Sequence, residues 1–230
     1  MDTLVSAEWL KQHIDDPDMV VLDCTVVTMP DEDDPRGISN VSGRPDYELG
    51  HIPNAGFAEL KGELCKTTGP VEFDLLSPEQ FCEVMGRLGV GDDSRVVLYD
   101  TSYTGWAARV WWMLRWVGFD QAAILDGGLA AWTSSGNQLS LEPVSRQAKK
   151  LTPKPRAELI ADHDEVLDGI ADDAVVLIDT LPEAFYRGEM SIYPRAGHIT
   201  GAVNIDGLGL LDNRGYLLPQ QELEAMHELD

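Results

Sequence analysis

The chain has 230 residues, 43% of them hydrophobic, and a formal net charge of −23. Such a field opposes a phosphate backbone, which argues against nucleic-acid binding, and no run approaches the roughly 20 apolar residues of a membrane span. Asp supplies 24 of the 40 acidic residues and Lys 6 of the 17 basic ones, a bias that suits either a high-salt source or an ordinary acidic protein.

The N-terminus, MDTLVSAEWLKQHIDD, has neither the basic n-region nor the apolar h-region of a secretory signal, and its acidity speaks against a mitochondrial presequence. The expectation is a cytoplasmic protein. Ser6 is placed to cap a helix running to about Ile14. MVVLD (19–23) is apolar at nearly every position, as are RVVLY (95–99), AAIL (122–125) and AVVLID (174–179). Continuous runs of this kind predict strands covered on both faces, as in a parallel sheet. SPEQFCEVMGRLG (77–89) carries Ser at the N-cap, Pro at the first helical position and a terminal Gly, which predicts a helix with Phe81, Val84, Met85 and Leu88 inward. From Thr104 to Val117 the pattern is apolar almost all round, which predicts a helix buried from two directions. Strands alternating with helices make the fold class α/β with a mostly parallel sheet.

Residues 136–158, GNQLSLEPVSRQAKKLTPKPRAE, break this alternation with three prolines and scattered charge, and read as an extended linker. The expected organisation is a first domain over 1–140, a linker over 141–156 and a second domain over 157–230. The two domains repeat one pattern. A strand ending in Asp23 is followed by YELGHIPNAGF (47–57), and a strand ending in Asp179 by FYRGEMSIYPRAGHITGAVNI (185–205). Each has an aromatic residue and then Gly-His-Ile-x-x-Ala, which marks an internal repeat.

Cys24, Cys65 and Cys82 are widely and irregularly spaced, and His13, His51, His163, His198 and His227 show no ligand pairing, so neither a metal site nor a disulfide framework is expected. Cys24 directly follows a strand, but the next residues, TVVTMPDEDDP, form no Gly-rich turn into a helix. His51 and His198 are expected to orient the turn into the next strand. The stretch VVLYDTSYTGWAARVWW (96–112) runs from a strand through a small loop into a helix N-terminus, a geometry suited to anions, yet it opens on Asp100 and holds no Cys, His or Lys.

The segments VSAEWLKQHIDDPDMVVLD, LLSPEQFCEVMGRLGV, the two Gly-His-Ile elements, VVLYD…GWAARVWWMLRWVGF and LDGGLAAW (125–132) stand in an order that resembles the tandem-domain rhodaneses, thiosulfate or 3-mercaptopyruvate sulfurtransferases. The resemblance implies two rhodanese-like domains, each a parallel sheet flanked by helices. It also implies a reacting cysteine in the second domain that accepts sulfane sulfur as a persulfide, with no cofactor and no metal. In the first domain the family carries Asp at the corresponding place, which is where Asp100 stands, and that domain is silent.

His51 precedes Asp100 by 49 residues, and the same spacing from His198 leads to position 247, beyond Asp230. The second domain is therefore expected to be truncated, with no catalytic residue within the chain and with sulfur transfer absent from the 230 residues alone. The alternative is a non-catalytic rhodanese-type binding or regulatory module; a redox-sensing thiol at Cys24 is a third, more remote possibility. Arg187, in FYRG, matches an arginine that holds the anionic sulfur donor in the family. Leu181 stands where a second arginine is common. A half-sheet would leave AVVLI and GAVNI uncovered; the first domain, the apolar helix of 104–117 or another copy of the chain would each shield them, and a dependence on a homo-oligomer is expected.

Overall fold

The structure, a computed structural model, describes residues 1–34, 36–69 and 71–226. The chain divides into two compact units, Met1–Val27 with Asn40–Ala157, and Thr28–Ser39 with the chain from Glu158 on. In order, the first part of the chain forms β1 (Leu4–Val5), α1 (Ala7–His13), β2 (Met19–Asp23), β3 (Val26–Pro30), β4 (Ile38–Ser42), α2 (Arg44–Leu49), β5 (Ala55–Phe57), α3 (Pro78–Arg87), β6 (Arg95–Tyr99), α4 (Gly105–Trp116), β7 (Ala122–Leu125) and α5 (Gly128–Ser134). Five strands make one sheet in the order β1-β7-β6-β2-β5. Every pairing is parallel, with Met19 opposite Arg95 and Asp23 opposite both Tyr99 and Phe57. β3 and β4 form a separate two-stranded sheet.

The apolar runs become strands because both faces of the sheet are covered: all five residues of β2 are buried. Met19, Val21, Val97, Tyr99, Ala123 and Leu125 face one core with Leu10 of α1 and Trp132 of α5. The other face receives α4, which packs on β6 and β7. Ser6 accepts from the Trp9 amide at 3.1 Å, and Ser77 and Gln80 close a full capping box on α3. Val110, Met113, Leu114, Trp116 and Val117 are all buried, so α4 is apolar on two sides for the expected reason.

The segment read as a linker is extended but not free. The amide of Lys149 donates to Gly86 O at 3.0 Å, Asp92 N to Lys150 O at 3.1 Å, Lys154 N to Val117 O at 2.8 Å and Arg156 N to Trp116 O at 2.8 Å. Arg146 donates to Met19 O and Asn54 O, and Asp92 takes both the amide and the hydroxyl of Thr152, which hold its carboxyl below the usual range. Glycines admit this strap: a Cβ at Gly86 would stand 2.5 Å from Lys149 O, and one at Gly118 2.5 Å from Lys154 O.

The second unit contains α6 (His163–Ile170), β8 (Ile178–Asp179), α7 (Glu183–Tyr186), β9 (Val203–Asn204) and α8 (Gln220–Met226). Asp162 and Glu165 form a capping box on α6. The strand expected over 174–179 contracts to its last two residues. On one side β8 is bonded to β9, in parallel, with Val203 N on Leu177 O and Ile205 N on Asp179 O; among the described residues no strand pairs with its other edge. Val175, Val176 and Ile178 remain 44%, 59% and 49% exposed. A strand held from one side loses half its ladder, which explains the shortening.

Gly86→Ala tests the strap. Helix propensity alone favours alanine by about 1 kcal/mol, whereas the clash with Lys149 O costs about 1–3 kcal/mol as overpacking does. Chemical denaturation is expected to show a net loss of stability; a gain would mean that the strap is not seated on α3.

Candidate functional site

Asp100 directly follows β6 and begins the loop into α4. It is 2% exposed, and its two oxygens accept four amides and a hydroxyl from the loop and the start of α4. Oδ1 takes the Ser102 amide at 2.9 Å, the Thr104 amide at 3.1 Å and the Ser102 hydroxyl at 3.3 Å, while Oδ2 takes the Trp106 and Ala107 amides at 3.1 and 3.0 Å. Thr104, the N-cap of α4, is left-handed at φ 66° and has no side-chain cap, so the carboxylate does the capping. The main-chain oxygen of Asp100 accepts from Leu129 N at 3.1 Å, and Gly128 at φ 54° leaves room for it, since a Cβ there would stand 2.5 Å away. This accounts for the paired glycines of LDGGLAAW. The loop is an anion cradle whose anion is its own first residue.

The neighbouring strand end is also acidic and buried. Asp23, 1% exposed, accepts from Thr25 N at 2.9 Å and is hydrogen-bonded to the Tyr99 hydroxyl. Burial raises its carboxyl above the usual range, and the charge of Asp100 adds to the rise. Cys24 is fully buried between these carboxylates, and desolvation followed by their charge drives its thiol far up. Burial pushes Cys82 up to about 11 and raises Cys65. All three are free thiols, and burial raises the pKa of each.

The two Gly-His-Ile elements build one motif twice. Tyr47 donates its hydroxyl to Ala55 O at 2.7 Å, His51 Nδ1 lies 2.9 Å from Tyr47 O, and the rings stack at 4.1 Å. Tyr186 donates to Ala202 O at 2.8 Å, His198 Nδ1 lies 2.7 Å from Tyr186 O, and the rings stack at 3.8 Å. Both histidines are held by backbone, as a structural role requires. The tyrosine was visible in the sequence only as an aromatic position of the repeat. Leu181 N donates to Asp179 Oδ1 at 2.9 Å just as Thr25 N does to Asp23, so Asp179 is the counterpart of Asp23.

Arg187 follows α7, exposed and ion-paired with Glu183 one turn back. The structure thus sets Asp100 within the first unit and Arg187 within the second. Among the described residues no cluster of His, Cys, Asp and Glu suits a metal, and no helix is long and apolar enough to cross a membrane. His227 lies outside the described residues.

Asp100→Ala strands four amides and is expected to cost about 2–4 kcal/mol. Added formate, the missing carboxylate, should restore more of the melting temperature in this variant than in the wild type; equal effects would separate the loop's stability from its anion. Asp23 binds a proton more readily folded than unfolded. The stability it contributes is therefore complete below the ordinary carboxylate value of 3.8 and is lost as pH rises through its higher folded value. Asp23→Asn, which cannot ionise, should accordingly gain on the wild type between about pH 4 and 7. Melting curves across that range check this, and a pH-independent difference would refute it.

Residues 6–135 match the rhodanese-like domain family. The 3-mercaptopyruvate sulfurtransferase of Escherichia coli K12 is 32% identical over 226 residues, 96% of this chain and 77% of that protein. The thiosulfate sulfurtransferase of Rattus norvegicus is 28% identical, over 98% and 76%. The crystal structure of SseA, a 3-mercaptopyruvate sulfurtransferase from Escherichia coli, superposes with a TM-score of 0.86 at 31% identity, covering 98% of this chain and 82% of that one. With its parallel sheet, its flanking helices and its Asp-filled loop, this chain belongs to the rhodanese family, whose relatives here are sulfurtransferases.

Proposed function

We propose that the protein is a sulfurtransferase that moves sulfane sulfur from thiosulfate or 3-mercaptopyruvate to a thiophilic acceptor through a cysteine persulfide, and that the reacting cysteine is none of Cys24, Cys65 and Cys82. The observation that supports this most is the filled cradle. A carboxylate bonded to four amides cannot take up sulfur, and the three thiols are buried with raised pKa.

The proposed chemistry takes two displacements. A thiolate attacks the outer sulfur of thiosulfate; the new S–S bond forms as the bond to sulfite breaks, its electron pair leaving on sulfite. A nucleophile such as cyanide then attacks the terminal sulfur, becomes thiocyanate and releases the thiolate. The outer persulfide sulfur is anionic, and a ring of amides of the kind around Asp100 would stabilise it. In the first unit that ring follows β6, which pairs with β2; its counterpart would follow a strand laid on the open edge of β8. The edge could be covered by a second copy of the chain where no such strand is present. Arg187 is proposed to hold the donor: a guanidinium presents paired donors to thiosulfate or a carboxylate and stays charged.

The filled cradle and the buried thiols also favour a second reading, a non-catalytic rhodanese-type binding module. Assaying thiosulfate-to-cyanide transfer separates the two. Residues 1–230 alone are expected to form no thiocyanate above the blank and, by light scattering, to assemble beyond the 25.3 kDa of one chain. A chain that carries the proposed strand and cysteine loop as well is expected to be active, and Arg187→Gln in it to raise KM for thiosulfate about tenfold with kcat nearly unchanged. Turnover by residues 1–230 that disappears on Cys24→Ser, Cys65→Ser or Cys82→Ser would overturn the proposal. Inertness of that longer chain as well would leave the binding module.

A further inference from the structure

Of the two arginines of α4, Arg115 pairs with Asp120 at 3.5 Å and Arg109 with no acid among the described residues. Arg109, on α4, is half-buried; its guanidinium donates to Phe73 O and lies 5.9 Å from the Phe73 ring centre. It makes no salt bridge among the described residues, and the nearby Asp74 is engaged by Lys66 at 2.8 Å. Its Nε is buried with no partner among the described residues. One turn earlier on the same helix face, Trp106 Nε1 is likewise buried with no partner. An orphaned buried donor carries a desolvation cost that folding alone gives no reason to keep.

Phe73 stands against both side chains. Its ring is 4.9 Å from that of Trp106, which in turn is 6.2 Å from Tyr103. The residue sits at φ 61°, the left-handed region that a bulky side chain adopts only under strain. The segment is tied locally by the Cys65–Leu75 bridge and by Lys66 N on Asp74 O at 2.9 Å. What Phe73 presents to α4 is therefore an oxygen for the guanidinium and a flat apolar ring for Trp106, supplied from a strained backbone.

We propose that Arg109, Trp106 and the Phe73 segment form a binding site for a flat organic carboxylate, in which Phe73 is the resident stand-in. The carboxylate replaces the Phe73 carbonyl with a charge-assisted partner and supplies acceptors for Arg109 Nε and Trp106 Nε1. The body of the ligand takes the place of the Phe73 ring, and leaving φ 61° relieves strain. The site lies wholly in the first unit and does not depend on Arg187 or on the location of the reacting cysteine. It gives the silent unit a ligand of its own.

Benzoate is the probe and the thermal shift it produces is the readout. Phe73→Gly, which removes the plug and suits a left-handed backbone, should be stabilised by benzoate more than the wild type. Adding Arg109→Met should abolish the response, and Arg187→Gln in the wild-type background should leave it intact. In the wild-type background Trp106→Phe keeps a ring, removes one donor and should weaken binding about fivefold. An unresponsive Phe73→Gly protein, an undiminished response after Arg109→Met, dependence on Arg187 instead, or equal protection by sulfate at matched ionic strength would each overturn the proposal.

Discussion

Where β6 gives way to α4, the chain turns so tightly that several amides converge on one small volume, and those amides need an acceptor. The Asp100 carboxylate is that acceptor, and much of the first unit is arranged around it. It holds Thr104 in a left-handed cap, starts α4 and thereby sets the face that α4 lays on β6 and β7. The backbone oxygen of the same residue anchors Leu129, which positions α5 over the opposite core. A loop that carries its own anion requires no ligand to be folded. For the same reason it cannot serve as the cradle of a persulfide, because the amides that would stabilise the outer sulfur are already taken.

A strand end, a short polar loop opening on Asp100 and a helix N-terminus were readable from the sequence as a geometry suited to anions; that the Asp100 carboxylate itself takes the loop's amides emerges only in the structure. The strands of the first unit were readable too, since residues covered on both faces are apolar at every position, as in MVVLD. The path of residues 141–156 was not. Its stability comes from main-chain bonds to Gly86 O, Val117 O and Trp116 O and from glycines that allow close approach; none of these leaves a periodic pattern, so composition suggested only an extended linker. AVVLID has the apolarity of a central strand, yet only Ile178 and Asp179 form one, because composition does not report whether a partner strand is present. The orphaned donors of Trp106 and Arg109 and the strained Phe73 were invisible for a related reason. They arise where α4 meets a loop more than 30 positions earlier in the chain.

The tyrosine–histidine motif separates what is local from what is tertiary. Tyr47 and His51 are four residues apart, Tyr186 and His198 twelve, and His51 is buried whereas His198 is exposed. Stack, hydroxyl bond and imidazole contact are nevertheless the same in both. Geometry that survives a change of loop length and of burial is set by the bonds inside the motif itself, which is why the histidines need no catalytic explanation. In each unit the motif delivers the chain to a strand beside an Asp-ended neighbour, Ala55–Phe57 beside Asp23 and Val203–Asn204 beside Asp179.

The two units diverge on the far side of that neighbour. In the first, β6 pairs with β2, brings Tyr99 to within 3.3 Å of the Ile52 amide, and continues into the Asp100 loop. In the second, among the described residues no strand pairs with the corresponding edge of β8, which is flanked by exposed Val175, Val176 and Ile178. The same conserved geometry of motif and strand thus supports two outcomes, decided by what pairs with one edge. A strand ending in a carboxylate closes the cradle on itself, and a strand ending in a thiol would leave the amides facing sulfur. On this argument the chemistry of the fold resides less in the sheet than in a single side chain at the end of one strand, and the rest of each unit serves to place it.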